Sequence, residues 1–494
     1  MDRSARWPLR ALGAALAACV FFASIGASAQ PAPPAAHEDD AFDLMNILSQ
    51  HDLHDIKDES WNTYGQVTYI SSWHAPFSAA YTNANGSNNS LSPDWERSYT
   101  LSATLFFGVR LWPGGQAYFV PEFIAEVPFS QLRGIGGAIQ NFELQKTGSP
   151  TGQLYRSRAY LQQTIGFGGE NVTKTSDPMQ LATTVDSRRL VLTAGNFTVL
   201  DFFDKNSVTW DPRQTFLNMA FMTHASWDFA ADQRGYTYGA VAELYWGDWA
   251  ARFARTLPPE EPNVQPVDFK FWEFYSDDLE LEHDHKILGQ DGAVRLLGYR
   301  NSVFSGRFAD AIAAFEASPA ENAAACAGAN LYNFGSGNVH APDLCWVRKQ
   351  NVKLGVGINL EQHFTDDIGV FFRAMYSDGQ SEVDAFNTAD RSVSLGAVGK
   401  GSAWRRPFDV TGVGFAMSWI SDIHAQYLAM GGVDNFIGDG ALRQAPEGVV
   451  DVFYSVNLLK AIWLTADYEF LWNPAYNADR GPVNIFGGRV HAEF

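Results

Sequence analysis

Several absences narrow the field before any motif is read. After residue 29 no stretch reaches the roughly 18 continuous apolar residues that a spanning helix requires. Mean hydropathy is only −0.17, so a polytopic helical membrane protein is excluded. Basic side chains are scarce: 35 Lys and Arg stand against 55 Asp and Glu, a formal net charge of −20, and such a surface repels nucleic acid. Cysteine is nearly missing, with 3 in 494 residues. No sequence repeat of about 20–50 residues is visible, which disfavours solenoids and propellers. Nor does a nucleophile–base set stand out. The serines lie in no GxSxG elbow, and "GFGGE" (166–170) reads as a turn, not a phosphate cradle.

The first 29 residues have the form of a secretory leader. Arg3, Arg6 and Arg10 make a basic start, "ALGAALAACVFFASI" is an apolar run, and "ASA" before Gln30 has the small-x-small form of a cleavage site. Cys19 lies within the apolar run, which argues against a lipoprotein anchor. Removing the leader takes away three basic residues and Asp2, so the net charge becomes about −22. Cys326 and Cys345 then remain. In an exported chain they read as one disulfide closing a loop of about twenty residues, worth roughly 3 kcal/mol in the loop-entropy model; two free thiols are the alternative. Residues 30–60 begin with a "PAPPAA" linker and continue as an acidic segment in which Leu44, Ile47 and Leu48 can share a helical face. A short periplasmic helix and a poorly ordered arm are both open for this segment.

What the chain does have is aromatic residues (36 Phe, 18 Tyr and 15 Trp) and long alternating runs. In "SYTLSATLFFGVRLW" Tyr99, Leu101, Ala103, Leu105, Phe107, Val109 and Leu111 fall on one parity. Ser98, Thr100, Ser102, Thr104, Gly108 and Arg110 fall on the other, and Phe106 is the exception. Alternate residues of a strand point to opposite faces. The pattern recurs in "NVKLGVGINLEQHF", "DIGVFFRAMYSDG", "GVVDVFYSVNLL", "AIWLTADYEFLW" and the terminal "FGGRVHAEF". These runs are about twice the length of a typical soluble strand and match the ~9–11 tilted residues that cross a bilayer. About sixteen are counted, including one centred near residue 427 and none between 372 and 414. The expected fold is an all-β transmembrane antiparallel barrel over residues 61–494, with short periplasmic turns and long external loops. The longest loop, between strands near 297 and 357, holds "FADAIAAFEASPA", a helix by pattern, and both mature cysteines. A β-sandwich would also alternate, but with shorter strands and a solvated outer face.

Two stretches resemble a known family: Gly195 to Trp246, with "SWDFAADQRGYTYGAV", and the ending "NPAYNADRGPVNIFGGRVHAEF". Both are similar to the OprB-type carbohydrate-selective porins of Gram-negative outer membranes, and "ILGQDGAVRLLGYRNS" (287–302) resembles a strand of that family. The resemblance runs from about residue 60 to the end. It implies a sixteen-stranded barrel in the outer membrane, passing small sugars by diffusion through a constricted, charged pore. It also implies that Phe494 belongs to the signal read by the barrel-assembly machinery; an ordinary girdle aromatic is the compatible plain reading.

A porin performs no covalent chemistry, so its site is the lumen. On the polar parity stand Arg110, then Arg156 and Arg158 with Gln162 and Thr164, then Glu280 and Glu282. Cations facing acids across a lumen set a transverse field and offer donors to sugar hydroxyls; simple pairing within a crowded interior is the competing account. Asp201, Asp204, Asp211, Arg213, Asp228, Asp232 and Arg234 form a charged segment after the strand ending near Leu200. It reads as a loop folded into the barrel to narrow it, or as a structural loop packed by Trp210, Trp227 and Phe229. Trp227 is either a sugar-stacking ring or a buried loop tryptophan. His283 and His285 share the outward parity and are not read as metal ligands; no metal or cofactor is expected. The partners are outer-membrane lipid, small carbohydrates and, during biogenesis, the assembly machinery, with the barrel a monomer or a trimer. A less selective porin for other solutes or ions competes with the sugar channel, and a barrel enzyme using lumen carboxylates is the third possibility.

Overall fold

The computed structural model describes residues 43–327, 338–385 and 387–494. The leader and most of the linker lie outside these. A helix, α1 (Leu44–Gln50), precedes the sheet; Asp43 caps it by accepting from Asn46 N at 2.8 Å. It buries Met45 and Asn46, while Leu44 and Ile47 remain exposed.

The strands in chain order are β1 (Trp61–His74), β2 (Glu96–Trp112), β3 (Gly115–Val127), β4 (Gln153–Gly166), β5 (Asn171–Lys174), β6 (Thr183–Asp186), β7 (Arg189–Phe197), β8 (Thr237–Trp246) and β9 (Trp249–Thr256). There follow β10 (Tyr275–Ile287), β11 (Gln290–Ser305), β12 (Lys349–His363), β13 (Ile368–Ser377), β14 (Arg391–Gly401), β15 (Arg406–Trp419), β16 (Glu447–Asn457), β17 (Ile462–Trp472) and β18 (Val483–Glu493). Sixteen of them pair antiparallel into a closed barrel, while β5 and β6 form a separate hairpin. The seam joins the first strand to the last: Val67 faces Ala492 and Tyr69 faces Val490. Beyond β18, Phe494 continues the pairing by donating to Gly65 O at 2.9 Å and accepting from Gly65 N at 2.7 Å. Its ring lies over Gly65, where any Cβ would collide with it.

The alternation has the expected sense. Along β2, Leu101, Leu105, Phe107 and Val109 are exposed outward, while Ser98, Thr100, Ser102 and Thr104 are buried inside. Along β18, Phe486 and Val490 face out while Arg489 and His491 are buried. An apolar belt this continuous belongs against lipid, because only a closed barrel satisfies every backbone group there. Trp61, Trp112, Trp246, Trp249, Trp404 and Phe494 are exposed at the short-turn end, and Trp95, Phe269, Trp272 and Tyr376 at the other, as two aromatic girdles.

One strand is not where the alternation put it. The segment near residue 427 is a helix, α5 (Asp422–Ala429), started by Ser421, which accepts from His424 N at 3.2 Å. The missing strand is β14, whose sequence "RSVSLGAVGKG" carries small residues where longer side chains would have advertised the alternation. The two differences cancel in the count.

The long loops divide into two groups. Those at 128–152 and 198–236 fold down into the barrel; the latter contains a short helix, α2 (Met219–Met222). The loop at 306–348 carries α3 (Phe308–Ala317) and α4 (Pro319–Ala325), with Cys326 bonded to Cys345 across a Cα separation of 5.8 Å. It packs against the loops at 420–446 and 473–482, at the long-loop end, through Phe308, Ile312, Leu344, Tyr427, Leu428 and Tyr476.

Candidate functional site

The interior is polar at the wall, and its fill is aromatic. The loop at 198–236 brings Phe202, Phe203, Phe216, Phe221, Trp227 and Phe229 into one buried cluster with wall residues such as Phe371 and Phe453. Its backbone would be orphaned inside the barrel without donors from the wall. Arg373 supplies them, giving Nη1 to Phe221 O at 2.9 Å and Nη2 to Thr209 O at 3.1 Å. Arg489 gives Nη1 to Pro212 O and to Thr215 O, the latter at 2.8 Å. Lys353 pairs with Asp228 at 3.0 Å. The loop is thereby seated against the wall from β10 to β18, leaving open space along β1–β4.

That space is a cavity of about 1050 Å³, reaching from the short-turn end, where it meets Lys460, Glu493 and Phe494, up to a ring of charges. Arg158 on β4 grips Asp201 with Nε and Nη2, each at 2.7 Å. Arg213 contacts Glu143 at 3.0 Å and Glu122 at 3.8 Å. Lys146 contacts Glu122 at 2.8 Å, and Tyr236 donates to the same carboxylate at 3.2 Å. Rings lie beneath the cations: Tyr236 under Arg158 at 5.4 Å and Phe142 under Arg213 at 4.8 Å. Burial would lower the Lys146 ammonium, but the Glu122 carboxylate outweighs it and the pKa lies above the usual lysine range. Arg213 behaves alike, its burial overcome by Glu143, Asp211 and Glu122. Both cations are therefore fixed charges at any physiological pH.

The candidate residues separate into two sets. Arg158, Asp201, Asp204, Asp211, Arg213 and Arg234 line the cavity. Asp204 does so only by its edge, because it is tied to Arg373 at 3.1 Å and Thr223 Oγ1 at 2.7 Å. Arg234 stacks over Tyr155 at 4.4 Å. The others lie elsewhere. Arg110 is at the short-turn rim, paired with Asp58 at 2.8 Å. Glu280 and Glu282 do face inward, but behind the seated loop, where Arg252 reaches them at 2.8 and 3.0 Å. Trp227 is buried and donates to Asp278 at 3.2 Å. Asp228 is consumed by Lys353, and Asp232 holds its own turn by accepting from Arg234 N and Tyr236 N at 2.9 and 3.0 Å.

Arg156 departs from expectation: it does not share a face with Arg158. The register of β3 and β4 shifts between Val120 and Pro121, so that Val120 pairs with Arg158 and Pro121 with Arg156, leaving Ser157 over. Proline has no N–H for the ladder, and an extra residue reverses the parity beyond it. Arg156 therefore turns outward onto Tyr238, whose ring pairs with Phe269 at 5.4 Å. His283 stacks outward on Trp249 at 4.4 Å.

Glu122, Lys146, Glu143, Phe142 and Tyr236 were not among the sequence candidates. Glu122 carried the same signal as Arg110, a charge on the polar parity of a strand. The others sit on loops, where parity says nothing. Chemically the ring offers forked donors, acceptors and aromatic faces, without any group poised for covalent work. Arg158 spends two of its five N–H donors on Asp201, which leaves donors for a passing hydroxyl.

A family model described as carbohydrate-selective porin, OprB family, matches residues 109–494. No curated protein matches the sequence. Among solved structures, the high-pH structure of Pseudomonas putida OprB aligns with a TM-score of 0.63 and 13% identity over 88% of this chain and 94% of that one. The outer membrane channel DcaP of Acinetobacter baumannii aligns more loosely, with a TM-score of 0.47 and 11% identity over 88% and 97% of the two chains.

Proposed function

The chain belongs to the OprB family of carbohydrate-selective porins, and on that premise we propose that its selectivity resides in the ring formed by Arg158, Arg213, Lys146, Glu122 and Asp201. As a member of that family it is an outer-membrane channel for small sugars rather than an enzyme. The observation that carries the finer reading is the combination at one level of the cavity. Fixed cations and carboxylates there supply hydrogen bonds to hydroxyls, and Tyr236 and Phe142, which lie against the cations, offer faces for the C–H side of a pyranose. Each charge is balanced by a neighbour, so a neutral solute exchanges its hydration for these groups without an ion being trapped. Mono- and short oligosaccharides fit this chemistry. We also take residues 1–29 to be a cleaved export leader, residues 30–60 a linker with a short periplasmic segment, and Phe494 part of the assembly signal.

The test is single-channel recording of the refolded mature protein in a planar bilayer, with glucose and a maltodextrin titrated in. Saturable block by either sugar, weakened in Arg213→Ala, is the expected outcome. Conductance steps without any sugar effect would overturn the saccharide site and leave a less selective porin. The absence of steps from a folded barrel would overturn the open channel itself.

A further inference from the structure

Away from the constriction, three acids meet with no cation at ion-pair distance among the described residues. Asp451 on β16 stands directly opposite Glu469 on β17, and Asp467 precedes Glu469 by two residues on the same face. Like charges directly opposite on paired strands destabilise a sheet. Here all three are at least nine-tenths buried, with exposures of 0, 6 and 1% for Asp451, Asp467 and Glu469. One carboxylate oxygen from each lies within 4.8 Å of the others.

The protein supplies very little to them. Asn218 donates Nδ2 to Glu469 Oε2 at 2.6 Å and its backbone N–H to Asp451 Oδ2 at 3.4 Å. Asp451 Oδ1, Glu469 Oε1 and both oxygens of Asp467 accept no hydrogen bond from any protein donor. The neighbouring cation, Arg489, has already turned its Nη atoms to Pro212 O, Thr215 O and Thr465 Oγ1. Among the described residues none forms an ion pair with the three acids. Three carboxyl groups thus share a donor set of one asparagine, and both oxygens of Asp467 stand without a donor.

A buried charge is kept only when it is paired or coordinates a metal. Calcium accepts six to eight hard oxygen ligands at about 2.3–2.6 Å, so two oxygens on opposite sides of one ion stand about 4.8 Å apart. Three carboxylate oxygens that all lie within that span of one another can share one such ion. Magnesium demands a tighter octahedron and keeps most of its waters, which suits a wall of three side chains less well. We propose that Asp451, Asp467 and Glu469 bind one calcium-class divalent cation inside the barrel. Asn218, which donates to two of the acids, also caps α2, accepting from Ala220 N at 3.1 Å. The ion thus staples the seated loop to β16 and β17, behind the residues that narrow the pore. This assignment stands independently of which solute the channel passes.

The test uses mature protein refolded from inclusion bodies into detergent, free of lipopolysaccharide, stripped with EDTA and held at neutral pH in moderate sodium chloride. Calorimetric titration with calcium chloride should show one saturable equivalent. In the double variant Asp467→Asn, Glu469→Gln the affinity should fall at least tenfold, whereas Asp422→Asn, an exposed acid of α5, should leave it unchanged. Lack of saturable binding by the unaltered chain would overturn the proposal in favour of a cluster neutralised by protons. Equal binding by the double variant would overturn it by placing the ion elsewhere. Should that variant fail to fold, shown by loss of heat-modifiable gel mobility, crystals of the unaltered chain soaked in manganese decide. An anomalous peak between the three carboxylates supports the site, and a featureless map there rejects it.

Discussion

His424, in α5 at the long-loop end, is completely buried between two acids. Asp390 Oδ2 lies 3.0 Å from Nδ1 and Asp434 Oδ2 lies 3.1 Å from Nε2. Its ring stacks on Phe308 of α3 at 4.1 Å, so the imidazolium ties together the loops at 306–348, 378–390 and 420–446. Burial alone would lower its pKa, but Asp390 and Asp434 outweigh burial and raise it from 6.5 to about 9. Asp390, against its own burial, is held below the usual carboxylate range by His424. Asp434 is pushed up by burial, which opposes the gain. A group raised in the folded state contributes fully below its unfolded value, and that contribution disappears as pH climbs through the folded value. For His424 this amounts to a few kcal/mol at most at pH 7, gone near pH 10, or roughly one to two orders of magnitude in an opening equilibrium. On the acid side, Asp390 gives up its share only as pH falls below the ordinary carboxylate range. Hydrogen exchange followed by mass spectrometry, corrected for intrinsic rates, should show residues 308–325 and 420–437 losing protection by up to this factor between pH 7 and pH 10. The barrel strands should barely respond. His424→Gln should be less protected already at pH 7 and flat above it. If the two segments keep their protection to pH 10, or the variant retains the slope, the latch argument fails.

Three further outcomes are expected. Arg158→Ala leaves Asp201 facing the pore without its partner, so reversal potentials should shift toward cation selectivity and sugar block should weaken. Arg156→Ala, on the outer face, should leave both unchanged. Lys353→Met strands Asp228 inside the barrel, a loss of about 3–5 kcal/mol for a broken buried pair, to be read as a lower melting temperature and a noisier, larger conductance. Deleting Phe494 should reduce the folded, heat-modifiable porin in the outer membrane of cells far more than the yield of refolding into detergent; equal losses would make it a girdle residue alone.

The barrel itself was legible because lipid on one side and a polar interior on the other force a period of two over many residues. The pattern failed where its physical cause was absent. In β14 serine, glycine and alanine soften the contrast between faces, and in α5 a short helix with a serine cap sits between two strands and borrows their spacing. Arg158 was legible from parity; Arg156 was misread because the bulge opposite Pro121 resets it, and Pro121 was the one local hint. The loop residues of the ring, Lys146 and Tyr236 among them, owe their places to contacts across the lumen. The acid cluster shows the same limit. Asp451, Asp467 and Glu469 each look like ordinary inward charges, and only the register of β16 on β17 makes them neighbours.

The seam between β1 and β18 bears on the order of assembly. β18, which completes the cylinder, also carries Arg489, whose guanidinium grips the carbonyls of Pro212 and Thr215 in the inward loop. The strand that completes the wall therefore also fastens the constricting loop. A cylinder that closed around an unseated loop would leave that guanidinium hydrated in an open lumen, and seating the loop exchanges that water for the two carbonyls. Permeability and closure thus share a residue: the strand that seals the wall also holds the loop that narrows it.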